Sequence, residues 1–467
     1  MTAVAIPVAG NRPGRCFDSY PPPPITSLIV TDGYDKSPPA AVDAPVNRRD
    51  DAAELDRILR HGQIRCAFQP IVELDTGLTV AYEALARGPE SSALEDPDRL
   101  FAAARQCGRL SELDCACQDT ALAAALRAGL TGSWSVFINV EPEAARDALA
   151  APRDVPSDQG GRPAQPARLR VIAELTERSL TADPPRLLNL VARVRSRGWG
   201  IALDDVGADR NSLALLPFIR PDVIKLDLRL IQQRPSADIA EIFSAVNAEA
   251  ERSGTTVLAE GIESRDHQNT ARALGATLGQ GWLFGRPGPP PRSAAPPAAS
   301  TIRTIGPGPE ASAETPFALV TATVPPRLTR KDLLIEVSKH LEYQAIRSGE
   351  ATAVLATFQE AVFFPPATRR RYRQLAQCAA FVGVLGREMP LAPAPGIRGG
   401  HLSPADPIFP EWDIAVIGPH FASCLTARDL GDSGPDRQRR FEFVLSHNRE
   451  LAIKAATALF SRIAREP

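Results

Sequence analysis

A (β/α)8 TIM-like barrel followed by a smaller α/β domain is the fold class the sequence predicts. Three observations predict it. Short apolar runs alternate with helical patterns between residues 66 and 285, most of the runs end in polar side chains, and a Pro-rich stretch from residue 288 divides the chain. The runs are CAFQPIVEL (66–74), TVAYEALAR (79–87), SVFINV (135–140), LRVIAELTE (169–177), GIALDDVG (200–207), VIKLDLR (223–229), TVLAEGIE (256–263) and GQGWLFG (279–285). Segments such as PRLLNLVARVRSRGW between them carry helical spacing. No GxGxxG follows the first run, which argues against a dinucleotide fold.

The 467 residues leave room for two or three domains with proper cores. Residues 1–50 read as a disordered tail, 51–287 as the barrel, 288–326 as a coreless Pro-rich linker and 327–463 as the second domain. The biased stretch 151–167 reads as a surface-loop insertion in the barrel. A net charge of −2 gives no reason to expect nucleic acid or a membrane surface as partner. No apolar run reaches the roughly 18–20 residues of a membrane span, and no signal segment opens the chain, so a cytoplasmic protein is expected. Seven scattered cysteines without a CxxC pair read as reduced thiols, and six isolated histidines make no metal cluster.

Barrels collect their reactive groups where the strands end. Here those positions hold Glu83, Asn139, Glu174 and Glu177, Asp204 and Asp205, Lys225 and Asp227, Glu260 and Glu263, and Gln280. Each acid taken singly is an ordinary helix cap. Together, so many carboxylates on one rim would repel one another and raise their own pKa values unless cations neutralised them. Carboxylates plus an amide suit a hard ion, Mg²⁺ or Mn²⁺, rather than zinc. Two such ions suit in-line hydrolysis of a phosphodiester. Lys225 adds a point charge beside them. Arg87 reads either as a phosphate contact or as a surface ion pair.

The ordered set FQPIV, YEALARG, FINV, AELTE, LDDVG, IKLD, AEGIE and QGWLFGRP resembles the EAL-domain cyclic di-GMP phosphodiesterases over residues 55–287. The resemblance implies Mg²⁺- or Mn²⁺-dependent opening of cyclic di-GMP to linear pGpG with two ions. It implies Glu83, Asn139, Glu174, Asp204 and Asp205 as metal ligands, with Asp205 and Glu260 bordering the second ion. Lys225 would position the water, and Gln69, Arg87 and Gln280 would contact the nucleotide. Glu177 would brace the loop after the fifth run, Glu263 would support the site from behind, and a homodimer is implied. The chain departs from the family at that loop: DDVGADRNS stands where DDFGTGYSS is usual, so Val206, Ala208, Asp209 and Arg210 differ. The alternative reading is therefore a catalytically silent receptor for cyclic di-GMP, or an interaction module.

In the second domain, Thr329-x-x-Asp332 reads as a helix cap, TAVLATF, FVGVLG and EWDIAVIGPHFASCLTA as extended runs, and ATRRRYRQLAQCAA and ELAIKAATALFSRI as helices. The Arg369–Arg371 run reads as a solvated helix face, and Trp412 as a core residue. The pieces LLIEVSKHLE, ATFQEAVFFPPATRRRYRQLA and PEWDIAVIGP resemble the DICT sensory domain. That resemblance implies a regulatory input with its own ligand or signalling partner.

Overall fold

The computed structural model describes residues 48–142, 169–176, 183–208, 210–291, 296–297, 301–304, 314–349, 351–433 and 435–463. The predicted tail, insertion, Glu177 and Asp209 fall outside them, except that a helix, α1 (Arg48–Arg60), already begins at the tail's end.

Eight strands close the barrel in sequence order: β1 (Arg65–Glu73), β2 (Thr79–Arg87), β3 (Ser135–Asn139), β4 (Arg170–Thr176), β5 (Gly200–Val206), β6 (Val223–Leu226), β7 (Thr256–Ala259) and β8 (Leu278–Gln280). β1 runs antiparallel to both β2 and β8. The reason is local. Only residues 74–78 separate β1 from β2, too few for a crossover helix, and Gly77 takes φ +72° to close the turn. The remaining strands are parallel, with helices in their crossovers: α2 (Pro97–Gln106), α3 (Leu110–Arg127), α4 (Pro184–Ser196), α5 (Leu216–Ile219), α6 (Leu228–Gln232), α7 (Ala237–Ser253) and α8 (Arg265–Ala273). Side-chain caps set several starts: Asp96 accepts from Asp98 and Arg99 N–H, Ser236 from Ile239, and Ser264 from His267.

Inside the barrel, Ile71, Ala81, Phe137, Ile172, Ala202, Val223, Leu258 and Leu278 form a dry plug beneath the C-terminal rim. Ile302 closes the plug from below at 2% exposure, and its carbonyl accepts from Arg170. The segment expected to be a coreless linker thus contributes a core residue. Apolar side chains have nowhere drier to go than the open end of a barrel.

The second domain is a seven-stranded mixed sheet. Its strands are β9 (Arg327–Arg330), β10 (Ala353–Glu360), β11 (Phe381–Arg387), β12 (Arg398–His401), β13 (Glu411–Ile417), β14 (Ala422–Asp429) and β15 (Arg440–Ser446), in the order β12-β11-β10-β13-β14-β15-β9. Its helices are α9 (Pro316–Thr321), α10 (Lys331–Ser348), α11 (Pro366–Cys378) and α12 (Arg449–Phe460). α10 and α11 cover one face through Leu334, Leu341, Tyr372 and Leu375. α12 covers the other through Leu451, Ala455, Leu459 and Phe460, in a core continuous with the barrel's outer layer. The expected cap at Thr329 is absent: Thr329 pairs with Phe441 in the sheet, and α10 starts after Arg330 without a side-chain cap. The arginine run is not wholly solvated either, since Arg371 Nε donates to Glu342 at 2.7 Å. Trp412 packs edge-on against Phe441 as expected, ring centroids 6.1 Å apart. The cysteines described are free thiols, and burial pushes Cys66 and Cys424 up to about 12, leaving them unreactive. Among the described residues no helix is long and apolar enough to cross a membrane.

Candidate functional site

Strand register assembles one side of the rim. Gln69 pairs with Glu83 across β1–β2, and Asn139 with Glu174 across β3–β4. Glu83 accepts from Asn139 Nδ2 at 3.3 Å and from Gln280 Nε2 at 2.6 Å. Gln280 Nε2 also donates to Gln69 Oε1 at 3.0 Å, and Gln69 Nε2 donates to the Gly285 carbonyl at 3.1 Å. This turn after β8 needs Gly281, because a Cβ there would lie 2.2 Å from the Ile262 carbonyl oxygen. The close approach brings the β7 and β8 loops together at the mouth.

The other side is irregular. Neighbouring residues on a strand point to opposite faces, so Asp204 and Asp205 should diverge. They do not, because the pairing of β5 with β6 shifts between Leu203 and Val206, a β-bulge at the two aspartates. Asp205 takes φ +56°, and Gly207 follows at φ +101°. The result is that ligand atoms of Asp204, Asp205 and Glu260 lie within 4.8 Å of one another.

Lys225 stands at the centre, 1% exposed. Its Nζ lies 2.8 Å from Glu174, 2.8 Å from Glu260, 3.0 Å from Asp204 and 3.7 Å from Glu83. Burial opposes the ammonium charge, yet these carboxylates hold its pKa well above the usual lysine value. Burial raises Glu174 well above the carboxylate range, reinforced by the charge of Glu83. Burial also raises Glu260, to about 8, with Lys225 opposing and Asp204 adding to the shift. Glu83 goes the other way: burial is outweighed by Lys225 and by the Gln280 and Asn139 amides, which keep it ionised. One cation thus serves several acids.

The donor set fits a hard divalent ion. Glu174 Oε2 and Gln280 Oε1 are buried without a hydrogen-bond partner, while Glu174 Oε1 and Asp204 Oδ1 are met by the Lys225 ammonium. Such atoms are expensive to leave unsatisfied, and a divalent cation coordinates oxygens of this kind. Glu83, Asn139, Glu174, Asp204, Asp205, Lys225, Glu260, Gln69 and Gln280 therefore share one rim. Arg87 stays half-buried at its edge, donating to the Ala86 carbonyl at 2.7 Å. Glu263 is exposed, and its N–H donates to His267 Nδ1 at 3.3 Å. Asp227 caps α6 rather than joining the site, accepting from Arg229 N–H at 2.8 Å. Reading the sequence missed Asp114, buried on α3, whose Oδ1 accepts from Glu141 N–H just beyond Asn139. An acid amid the apolar positions of a helix was its one signal.

Comparison with known proteins places the barrel. Residues 52–287 match the EAL domain, and the chain belongs to that family. Residues 317–430 match the DICT domain, the sensory domain in diguanylate cyclases and two-component systems. The cyclic di-GMP phosphodiesterase RocR of Pseudomonas aeruginosa is 29% identical over 242 residues, 51% of this chain and 60% of RocR. The cyclic di-GMP phosphodiesterase NbdA of the same organism is 31% identical over 247 residues, 50% of this chain and 30% of NbdA. Klebsiella pneumoniae BlrP1, solved with calcium and cyclic di-GMP, is 27% identical with a TM-score of 0.41, over 48% of this chain and 56% of BlrP1. The chain thus spans 60% or less of the length of these relatives.

Proposed function

We propose that this chain hydrolyses cyclic di-GMP to linear pGpG with two Mg²⁺ or Mn²⁺ ions, under the control of its C-terminal domain. The observation that carries this reading is the rim itself: Glu83, Asn139, Glu174, Asp204, Asp205 and Glu260 gathered around one buried lysine, with a buried Glu174 oxygen left without a hydrogen-bond partner. Glu83, Asn139, Glu174, Asp204 and Asp205 would hold the ions, with Glu260 beside Asp205. Bound there, the ions would supply Lewis-acid chemistry, activating water and neutralising phosphoryl charge.

The protein's own residues do the rest. Lys225 Nζ orients the attacking water and adds positive charge where the phosphodiester becomes more negative. Gln69 and Gln280, already joined to each other and to Glu83, fix the mouth against which a nucleotide lies. Arg87 reaches a phosphate oxygen once the substrate draws it from the Ala86 carbonyl. The apolar plug forms a floor under the rim.

A second reading, a receptor that binds cyclic di-GMP without cleaving it, is favoured by one feature: the altered loop from Val206 to Arg210. One assay separates the two. Incubation with Mn²⁺ and cyclic di-GMP, resolved by chromatography beside Glu83→Ala, should give pGpG in the parent and at least about a hundredfold less in the variant. Tight binding by the parent without any pGpG would establish the receptor.

A further inference from the structure

The Asp204–Asp205 bulge is an awkward piece of backbone. A residue other than glycine at positive φ is uncommon, and Asp205 holds φ +56°. Upstream, β5 is fixed by its strand neighbours. Downstream, the chain leaves the bulge through Gly207, a 3₁₀ turn (Arg210–Leu215) and α5, and α5 packs in part on the other domain.

All four residues of α5 are buried. Phe218 stacks on Phe460 of α12, ring centroids 4.7 Å apart and 15° from parallel, and Phe460 in turn meets Phe381 of the sheet at 5.1 Å. Beside this stack Leu213, Leu216 and Pro217 face Ala351, Ile417, Pro419 and Arg449 across a small cavity. α7 makes the second attachment. Its Arg252 donates to the Pro419 carbonyl at 3.0 Å, and Ser244 meets His420 at 3.2 Å. Glu249 of α7 lies between Arg252, at 2.7 Å, and Arg449 of α12, at 3.9 Å. α7 also touches the bulge's exit, since a Cβ on Gly207 would lie 3.3 Å from Ile242. One attachment thus reaches Gly207 through Ile242 of α7, and the other holds the chain at Leu213–Phe218 where it leaves the loop.

We propose that the C-terminal domain positions the two aspartates: by clamping α5 and α7 through α12 and the β13–β14 turn, it holds the bulge in the form that binds a divalent ion. Phe218, Phe460, Glu249 and Arg449 are positioning residues in this scheme, none of them touching substrate. Docked, the domain gives a rim competent for ions. Displaced, it lets Asp205 relax and separates the acids.

The proposal rests on the rim being the ion and cyclic di-GMP site. Titrating the full-length parent with Mn²⁺ by calorimetry tests that first, and an absence of binding there sinks the functional reading itself. The docking is then broken from the barrel side with Ala245→Arg, at a residue buried in the junction, and from the other side with Arg449→Glu. Hydrogen exchange over residues 213–219 reports undocking in the same samples. The expected result is faster exchange, Mn²⁺ affinity weakened about tenfold, within the usual range of site-to-site coupling, and kcat reduced more than KM is raised. Pairing Arg449→Glu with Glu249→Arg should recover Mn²⁺ affinity. If either substitution prevents folding, Arg252→Glu, at a partly exposed contact, gives the same comparison. Faster exchange with unchanged Mn²⁺ affinity would overturn the proposal.

Discussion

The two sides of the rim are built on different principles. On the side formed by β1 to β4, Gln69, Glu83, Asn139 and Glu174 meet because regular register sets them opposite one another. On the side formed by β5 to β7, Asp204, Asp205 and Glu260 meet because a strand breaks its register and turns through positive φ. Glu83 and Glu174 are the more deeply buried; Asp204 and Glu260 keep 14% and 21% of their side-chain surface. The first side is rigid by construction, whereas the second can be adjusted. A site that must be both accurate and controllable can divide those demands between its two halves.

Lys225 belongs to both halves, so removing it should have the largest effect. Lys225→Met leaves a crowd of buried acids without a counter-charge and should cost about 3–5 kcal/mol in the metal-free protein. Thermal unfolding in chelator against excess Mn²⁺ measures it, and the ion should recover a large part of the loss. Persistence of the full deficit in Mn²⁺ would show that the lysine acts by packing alone.

The regular half has its own pH signature in Asp114. Burial raises its pKa to about 7, with the Glu141 N–H and Gln118 amide pulling it down. A carboxyl whose folded value is raised binds more protons folded than unfolded, so stability is full below the unfolded value near 4 and falls as pH rises towards 7. The change amounts to about 4 kcal/mol at most. Asp114→Asn should flatten the melting temperature between pH 5 and pH 8, and an unchanged slope would place the titration elsewhere.

Gly207→Ala tests the irregular half. Its φ of +101° and a Cβ 2.7 Å from Leu230 predict a loss of about 1–3 kcal/mol in chemical denaturation. Asp205→Asn sharpens the point, since asparagine tolerates positive φ. Stability should hold within about 0.5 kcal/mol while Mn²⁺ affinity drops, separating the shape of the bulge from its charge. Glu263→Ala should do least. Its side chain is exposed, so stability and turnover should stay near the parent's; a clear fall in turnover would bear out the supporting role the family resemblance implies.

Much of the regular half was legible in the sequence. Apolar runs ending in Glu, Asn and Lys announce a barrel rim, because strand periodicity alone fixes which side chains face inward. The reversal of β1 was legible too, in five residues with a glycine where no crossover helix could fit. The bulge was not. Two adjacent aspartates give no sign that alternation fails between them, since the failure is enforced by β6 and by the chain beyond. The docking of the second domain was equally hidden. A Pro-rich segment reads as a spacer, and its composition does not record what lies at either end.

That segment carries one consequence for anyone dividing the molecule. A cut at residue 287 follows the family boundary and would seem to free the barrel intact. It would also pull a cork. Ile302 seals the lower end of the barrel, Ser133 holds the Pro297 carbonyl at 2.5 Å, and Arg170 holds that of Ile302 at 2.9 Å. A fragment ending at 287 would open its apolar floor to water and aggregate, whereas one ending at 304 would keep its own stopper.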